Sequence, residues 1–142
     1  MFIRISFCLL LVTVLSSIFY SCKKDDDTDE IPDVLVDRQL IIVNYPSLTA
    51  VNGWEYISGG SKGIIVYRVS TDEFKAYDRN CSYEPLSSCA KCNVDSSGLT
   101  AIDTCCGSEF QLLDGSVLTS PATKPLREYQ TSYDGSILTI TN

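Results

Sequence analysis

Apolar residues in this chain fall into one long run followed by many short ones. The long run is Ile5 to Ile18, broken only by small or hydroxylated residues. Beyond it, Lys23 to Glu30 carries no apolar side chain, can bury nothing, and reads as a solvated tether. The short runs begin after Asp33. Gln39 to Tyr45 is rich in apolar and β-branched residues and stops at Pro46. Trp54 to Ile57 is followed by the turn signal Gly59-Gly60, and Gly63 to Val69 then reads as a buried strand. Glu73 to Tyr77 alternates with period two, and a further strand starts near Glu109. Arg127 to Tyr133 and Ser136 to Thr141 flank Asp134-Gly135, a compact hairpin turn. Nowhere does an apolar period of 3.6 persist across three turns. The pattern predicts an all-β domain, a small antiparallel sandwich or barrel.

The run from Ile5 to Ile18 is short for a membrane span but suits the core of an export signal. It ends in Phe19-Tyr20-Ser21-Cys22, a small residue directly before a cysteine. This resembles the lipobox of bacterial lipoproteins, although Phe19 and Tyr20 are bulkier than the residues usual there. The resemblance implies a signal peptide at 1–21, lipidation of Cys22, an acidic tether at 22–33 and a β domain at 34–142. The Lys23-Lys24-Asp25-Asp26-Asp27 start of the tether also resembles the signal that sends many Bacteroidetes lipoproteins to the cell surface; a plain charged linker is the alternative. The expected location is the cell envelope, as an outer-membrane lipoprotein on the periplasmic face or the cell surface. Its partners would then be the membrane, through the lipid, and an envelope protein.

Charge and composition narrow the chemistry. Loss of residues 1–21 removes Arg4 and no acid, leaving 10 basic against 18 acidic side chains and a formal net charge of −8. Five of those acids lie between Asp25 and Glu30, and no basic stripe offsets the rest, so nucleic acid is not an expected partner. The chain has no histidine. That removes the usual general base, the Ser-His-Asp and Cys-His arrangements and every imidazole-dependent metal site. No Lys- or Asp-based catalytic motif replaces them, and no catalytic residue is assigned.

The cysteines are the informative residues. Cys8 departs with the signal and Cys22 is committed to lipid, leaving Cys81, Cys89, Cys92, Cys105 and Cys106 in one central stretch. Thiols exported to an oxidising compartment favour disulfides over metal ligation. Because five is odd, at most two bridges form. Cys89-Ala90-Lys91-Cys92 has the spacing of a redox pair, but it follows Pro85-Leu86-Ser87-Ser88 in a loop rather than opening a helix. A zinc site built on it would need a second pair, and Cys105-Cys106 lacks the usual gap. Adjacent Cys105 and Cys106 should not bridge each other. Trp54, Tyr56 and Tyr67 read as core rather than as a ligand platform.

From Gly63 onward the chain resembles a Rieske domain, the small all-β fold that holds a [2Fe–2S] cluster between two loops. The first loop of that family reads Cys-x-His after a strand; here Phe74 to Asn80 leads into Cys81-Ser82-Tyr83. The second reads Cys-x-x-His-Gly-Ser-x-Phe; here it is Asp103-Thr104-Cys105-Cys106-Gly107-Ser108-Glu109-Phe110. Asp114-Gly115 and Pro121-Ala122-Thr123-Lys124-Pro125-Leu126-Arg127-Glu128-Tyr129 continue the family's pattern, with the proline segment expected as a structural loop over the site. At the four ligand positions, Cys81 keeps its type, while Tyr83, Asp103 and Cys106 replace a His, a Cys and a His. The resemblance therefore implies a Rieske-like scaffold whose former cluster loops are joined by disulfides. One bridge is expected from Cys81 to Cys106 or Cys105, and another from Cys89 or Cys92 to the remaining one. No metal or cofactor is expected, with a rearranged [2Fe–2S] centre or zinc as the alternatives. Two functions follow: a non-catalytic interaction or accessory lipoprotein, or a redox protein using a rearranged Fe–S centre or a labile disulfide.

Overall fold

The β-branched and aromatic runs become antiparallel strands because Gly and Asp turns separate them at hairpin distance. A computed structural model describes residues 30–142; the signal, Cys22 and most of the tether lie outside the described residues. The strands are β1 (Asp37–Ile41), β2 (Trp54–Ile57), β3 (Ile64–Arg68), β4 (Phe74–Asp78), β5 (Cys92–Val94), β6 (Thr100–Asp103), β7 (Glu109–Gln111), β8 (Val117–Thr119), β9 (Glu128–Tyr133) and β10 (Ile137–Thr141). They form a six-stranded sheet in the order β1-β10-β9-β4-β3-β2 and a four-stranded sheet in the order β5-β6-β7-β8. Among the described residues there is no α-helix, only two 3-10 turns.

The strand expected over Gln39 to Tyr45 is shifted and cut short. It begins at Asp37 and ends at Ile41, opposite Ile137, where its partner β10 begins. The Ile42 amide still reaches the Ser136 carbonyl at 2.9 Å, after which the chain turns into the 3-10 segment Ile42–Asn44. Strands β5, β6 and β8 are three or four residues long, too short for a period to be visible in the sequence.

The sheet faces two cores. Ile64, Val66, Phe74 and Ala76 join Leu40, Leu48, Tyr129, Leu138 and Ile140 on one side. Ile65, Tyr67 and Tyr77 join Cys92, Ala101, Phe110 and Leu112 of the four-stranded sheet on the other. Strand β3 is thus buried on both faces, which is why Ile64 to Tyr67 is an unbroken apolar run rather than an alternating one. Tyr67 is buried as expected, and Trp54 and Tyr56 pack half-buried against the second core.

Turn chemistry places the remaining segments. Asp134 caps its hairpin by accepting the amides of Ser136 and Ile137. Gly115 sits at φ +74°, and a Cβ there would lie 2.8 Å from the Tyr77 ring, so only glycine fits. At the other end, Arg127 donates to the carbonyls of Ile31 (3.4 Å) and Pro32 (3.2 Å) and pairs with Asp33. The groove beside this anchor is lined by Glu30, Asp33, Ser82, Lys124 and Leu126.

Candidate functional site

Three connections converge at one end of the four-stranded sheet: residues 79–91 between β4 and β5, residues 104–108 between β6 and β7, and residues 120–127 between β8 and β9. The first is pinned by a buried carboxylate. Asp78 accepts the amides of Ser61 (2.6 Å), Lys62 (3.3 Å) and Asn80 (2.8 Å) and the Tyr129 hydroxyl (2.7 Å). Lys62 then reaches across, its Nζ donating to the carbonyls of Pro85 (3.1 Å), Ser87 (2.6 Å) and Ala90 (2.8 Å). With Cys81 N donating to Ala90 O and Cys92 N to Arg79 O, the loop folds back on itself, and Cys81 and Cys92 are both fully buried.

The second connection is a tight turn. Asp103 N donates to Ser108 O, and Gly107 N, at φ +81°, donates to Asp103 O. Asp103 is buried at the end of β6, in register opposite Cys92. Its Oδ1 accepts the Cys105 amide at 2.8 Å, and its Oδ2 lies 3.3 Å from Cys106 Sγ. Ser108, also buried, accepts the Ala122 amide at 2.9 Å and the Cys106 thiol at 3.1 Å. The proline-bearing third connection is thereby tied to the second, and Ser82 Oγ donating to Lys124 O (2.6 Å) ties it to the first.

The result is a pocket of sulfur and carboxylate. Cys81 Sγ and Cys106 Sγ are 3.8 Å apart, and the donor atoms of Cys81, Asp103 and Cys106 all lie within 4.8 Å of one another. Cys92 is buried in the same cluster as Cys81. The neighbouring Cys92 thiol, with burial adding to it, holds the Cys81 thiol far above the ordinary thiol range against the opposing pull of the Tyr83 amide. Burial also raises Cys106, opposed by its contacts with Ser108. At neutral pH these thiols are protonated unless a cation displaces the protons.

One of the expected links is present and the other is not. Cys105 pairs with Cys89, at a Cα–Cα distance of 5.6 Å, as one of the expected pairings allowed, whereas the bridge expected at Cys81 is not formed. Cys81, Cys92 and Cys106 remain free, so the described residues hold one bridge rather than two. The reason is burial: Cys89 and Cys105 are exposed at loop tips that meet at the surface, while Cys81 and Cys92 face inward. The bridge joins the 79–91 and 104–108 connections, and it removes Cys89 from any pairing with Cys92. Of the four residues the motif resemblance singled out, Cys81, Asp103 and Cys106 come together, whereas Tyr83 stands at the exposed rim. Sequence reasoning missed Cys92 as a wall of this pocket, because its register opposite Asp103 leaves no local signal. It also missed Lys62 and Asp78, whose roles are set entirely by long-range contacts.

No family model matches the chain, and no curated protein sequence matches it. Among solved structures, the plasma membrane Rieske protein PetC3 of the cyanobacterium Synechocystis PCC 6803 aligns at a TM-score of 0.52 and 21% identity, over 63% of this chain and 87% of that one. This chain has the Rieske fold. The ferredoxin of carbazole 1,9a-dioxygenase from Nocardioides aromaticivorans IC177 aligns at a TM-score of 0.48 and 17% identity, over 76% of this chain and 97% of that one.

A Rieske centre binds one iron through two thiolates and the other through two imidazoles. The motif resemblance assigns Cys81 and Asp103 to the first pair of positions and Tyr83 and Cys106 to the second, and the chain has no histidine anywhere. Cys81 and Cys106, which that arrangement assigns to different irons, instead share one 3.8 Å contact. The residues present do not fit a Rieske [2Fe–2S] centre.

Proposed function

We propose that this protein is an exported, lipid-anchored Rieske-fold lipoprotein of the cell envelope that has lost its [2Fe–2S] cluster and serves as a non-catalytic accessory or interaction subunit. Cys22 carries the lipid, residues 1–21 direct export, and an envelope protein is the partner. The observation that carries the reading is the donor set: the chain has no histidine, and the positions that the motif resemblance assigns to two thiolates and two imidazoles hold Cys81, Tyr83, Asp103 and Cys106. The Cys89–Cys105 bridge supports it, since it supplies a covalent link between loops that a cluster otherwise ties together.

The test is the protein isolated from membranes of its native host. A colourless preparation with no stoichiometric iron or acid-labile sulfide, and an acylated N-terminal peptide beginning at Cys22, is the expected result. A brown protein with two irons per chain overturns it.

One observation favours a second reading, that of a redox protein. Cys81 and Cys106 are close enough to form a disulfide after a side-chain rotation, releasing two protons and passing two electrons to a thiol–disulfide oxidoreductase. Reversible interconversion of this pair at a measurable potential, with Cys89–Cys105 unchanged, would establish it.

A further inference from the structure

We propose that Cys81, Asp103 and Cys106 form a mononuclear site for a soft divalent cation of the zinc class, with its fourth position open to water. The inference rests on the cluster-free reading above, and the geometry supports it directly. A tetrahedral ion with metal–sulfur bonds of about 2.3 Å holds two thiolates about 3.8 Å apart. With a metal–oxygen bond of about 2.0 Å it holds a carboxylate oxygen about 3.5 Å from each sulfur. Here Cys81 Sγ and Cys106 Sγ are 3.8 Å apart, and Asp103 Oδ2 is 3.3 Å from Cys106 Sγ. Two of the three edges match one tetrahedral ion, and the third, from Cys81 Sγ to the Asp103 carboxylate, lies within 4.8 Å.

The surroundings are arranged for the same purpose. The Cys105 amide occupies Asp103 Oδ1 and leaves Oδ2 facing the sulfurs. Each sulfur already receives a backbone amide at 3.5 Å, from Tyr83 on Cys81 and from Ser108 on Cys106. Such outer contacts orient metal-bound groups and stabilise the thiolate charge once the proton has left. Binding releases the two thiol protons to solvent and forms two metal–sulfur bonds and one metal–oxygen bond. Two thiolates with one carboxylate select a zinc-class ion over magnesium or calcium. Cys92 is not one of the mutually close donors, and Cys106 is only half-buried, so the fourth position is reached from solvent.

The test uses the full chain in detergent, reduced gently enough to keep Cys89–Cys105 intact, in metal-free buffer. Titration with Co²⁺ is expected to saturate at one ion per chain, with thiolate-to-cobalt charge-transfer absorption and tetrahedral visible bands. One equivalent of Zn²⁺ should bleach both. Cys106→Ser sits at a half-buried position and should fold normally, as read by circular dichroism. It should lose the charge-transfer intensity and weaken Co²⁺ binding by more than the 10- to about 100-fold that an outer-contact loss costs. Asp103→Asn should weaken binding while keeping both sulfur-to-cobalt bands. Equal Co²⁺ binding by wild type and Cys106→Ser overturns the site, as does folded protein with free thiols and no tetrahedral cobalt. A native Cys81–Cys106 disulfide in colourless protein overturns the metal site alone, whereas stoichiometric iron with sulfide overturns the cluster-free reading as well.

Discussion

Removal of the Cys89–Cys105 bridge by the double substitution Cys89→Ser, Cys105→Ser isolates the contribution of the loop clasp. Both residues are exposed, so serine leaves no cavity and no stranded polar group. The effect falls on the unfolded chain, where the bridge closes a loop with a sequence separation of 16. The chain-entropy relation gives about 3 kcal/mol at 25 °C for a loop of this size. For a domain of this size that corresponds to a fall in Tm of roughly 10 °C. Urea unfolding of the two proteins side by side, followed by tryptophan fluorescence from Trp54, measures the difference directly. Limited proteolysis gives a second readout, with new cleavage expected in the 82–91 loop. A shift in Tm below about 2 °C with unchanged proteolysis would show that Lys62 and Asp78 alone hold the loops, and the clasp argument would fail.

Four further outcomes follow from buried groups. Tyr77 is fully buried with its hydroxyl unpaired, so Tyr77→Phe should leave stability unchanged or raise it by about 1 kcal/mol in urea titration. Burial raises the pKa of both Tyr77 and Tyr129, for Tyr129 with help from its hydrogen bond to Asp78. A raised folded pKa means stability is fully present below the unfolded value of about 10 and is lost as pH rises toward the folded one. Alkaline unfolding should therefore set in above about pH 10, and later in Tyr77→Phe than in wild type, as followed by phenolate absorbance. Asp78→Asn turns an amide NH₂ toward a ring of donors and should cost about 3 kcal/mol, read as a lowered urea midpoint with unchanged slope. Gly115→Ala forces a Cβ against the Tyr77 ring at positive φ and should cost about 1–3 kcal/mol by the same assay.

The fold was legible wherever burial imposed a pattern. Strand β3 announced itself as an unbroken apolar run because both its faces are covered, and Asp134-Gly135 marked the β9–β10 hairpin through its own turn chemistry. Strands β5, β6 and β8 left no such trace, being short and stabilised by pairing more than by a continuous apolar face. At the site, Cys81, Asp103 and Cys106 could be named from motif spacing, since each sits at a fixed offset from a strand end or the Gly107 turn. Their convergence could not be read without the 3.8 Å contact that long-range folding creates. The pairing of Cys89 with Cys105 was one of the options the motif resemblance left open, and loop exposure, which the sequence does not show, chooses among them. Cys92 is the clearest case, since its neighbour Asp103 is set by strand register alone.

The hold of Arg127 on residues 31–33 governs how the domain hangs from whatever precedes it. The chain leaves the described domain at Glu30, beside a groove shared with Ser82 and Lys124, the rim of the thiol pocket. On the lipid-anchor reading, the eight peptide steps from Cys22 to Glu30 reach no farther than about 29 Å. The groove that Glu30 lines with Ser82 and Lys124 is then kept within that tether length of the bilayer. On the same reading, a partner meeting that groove would work close to the membrane surface rather than far out in the open compartment.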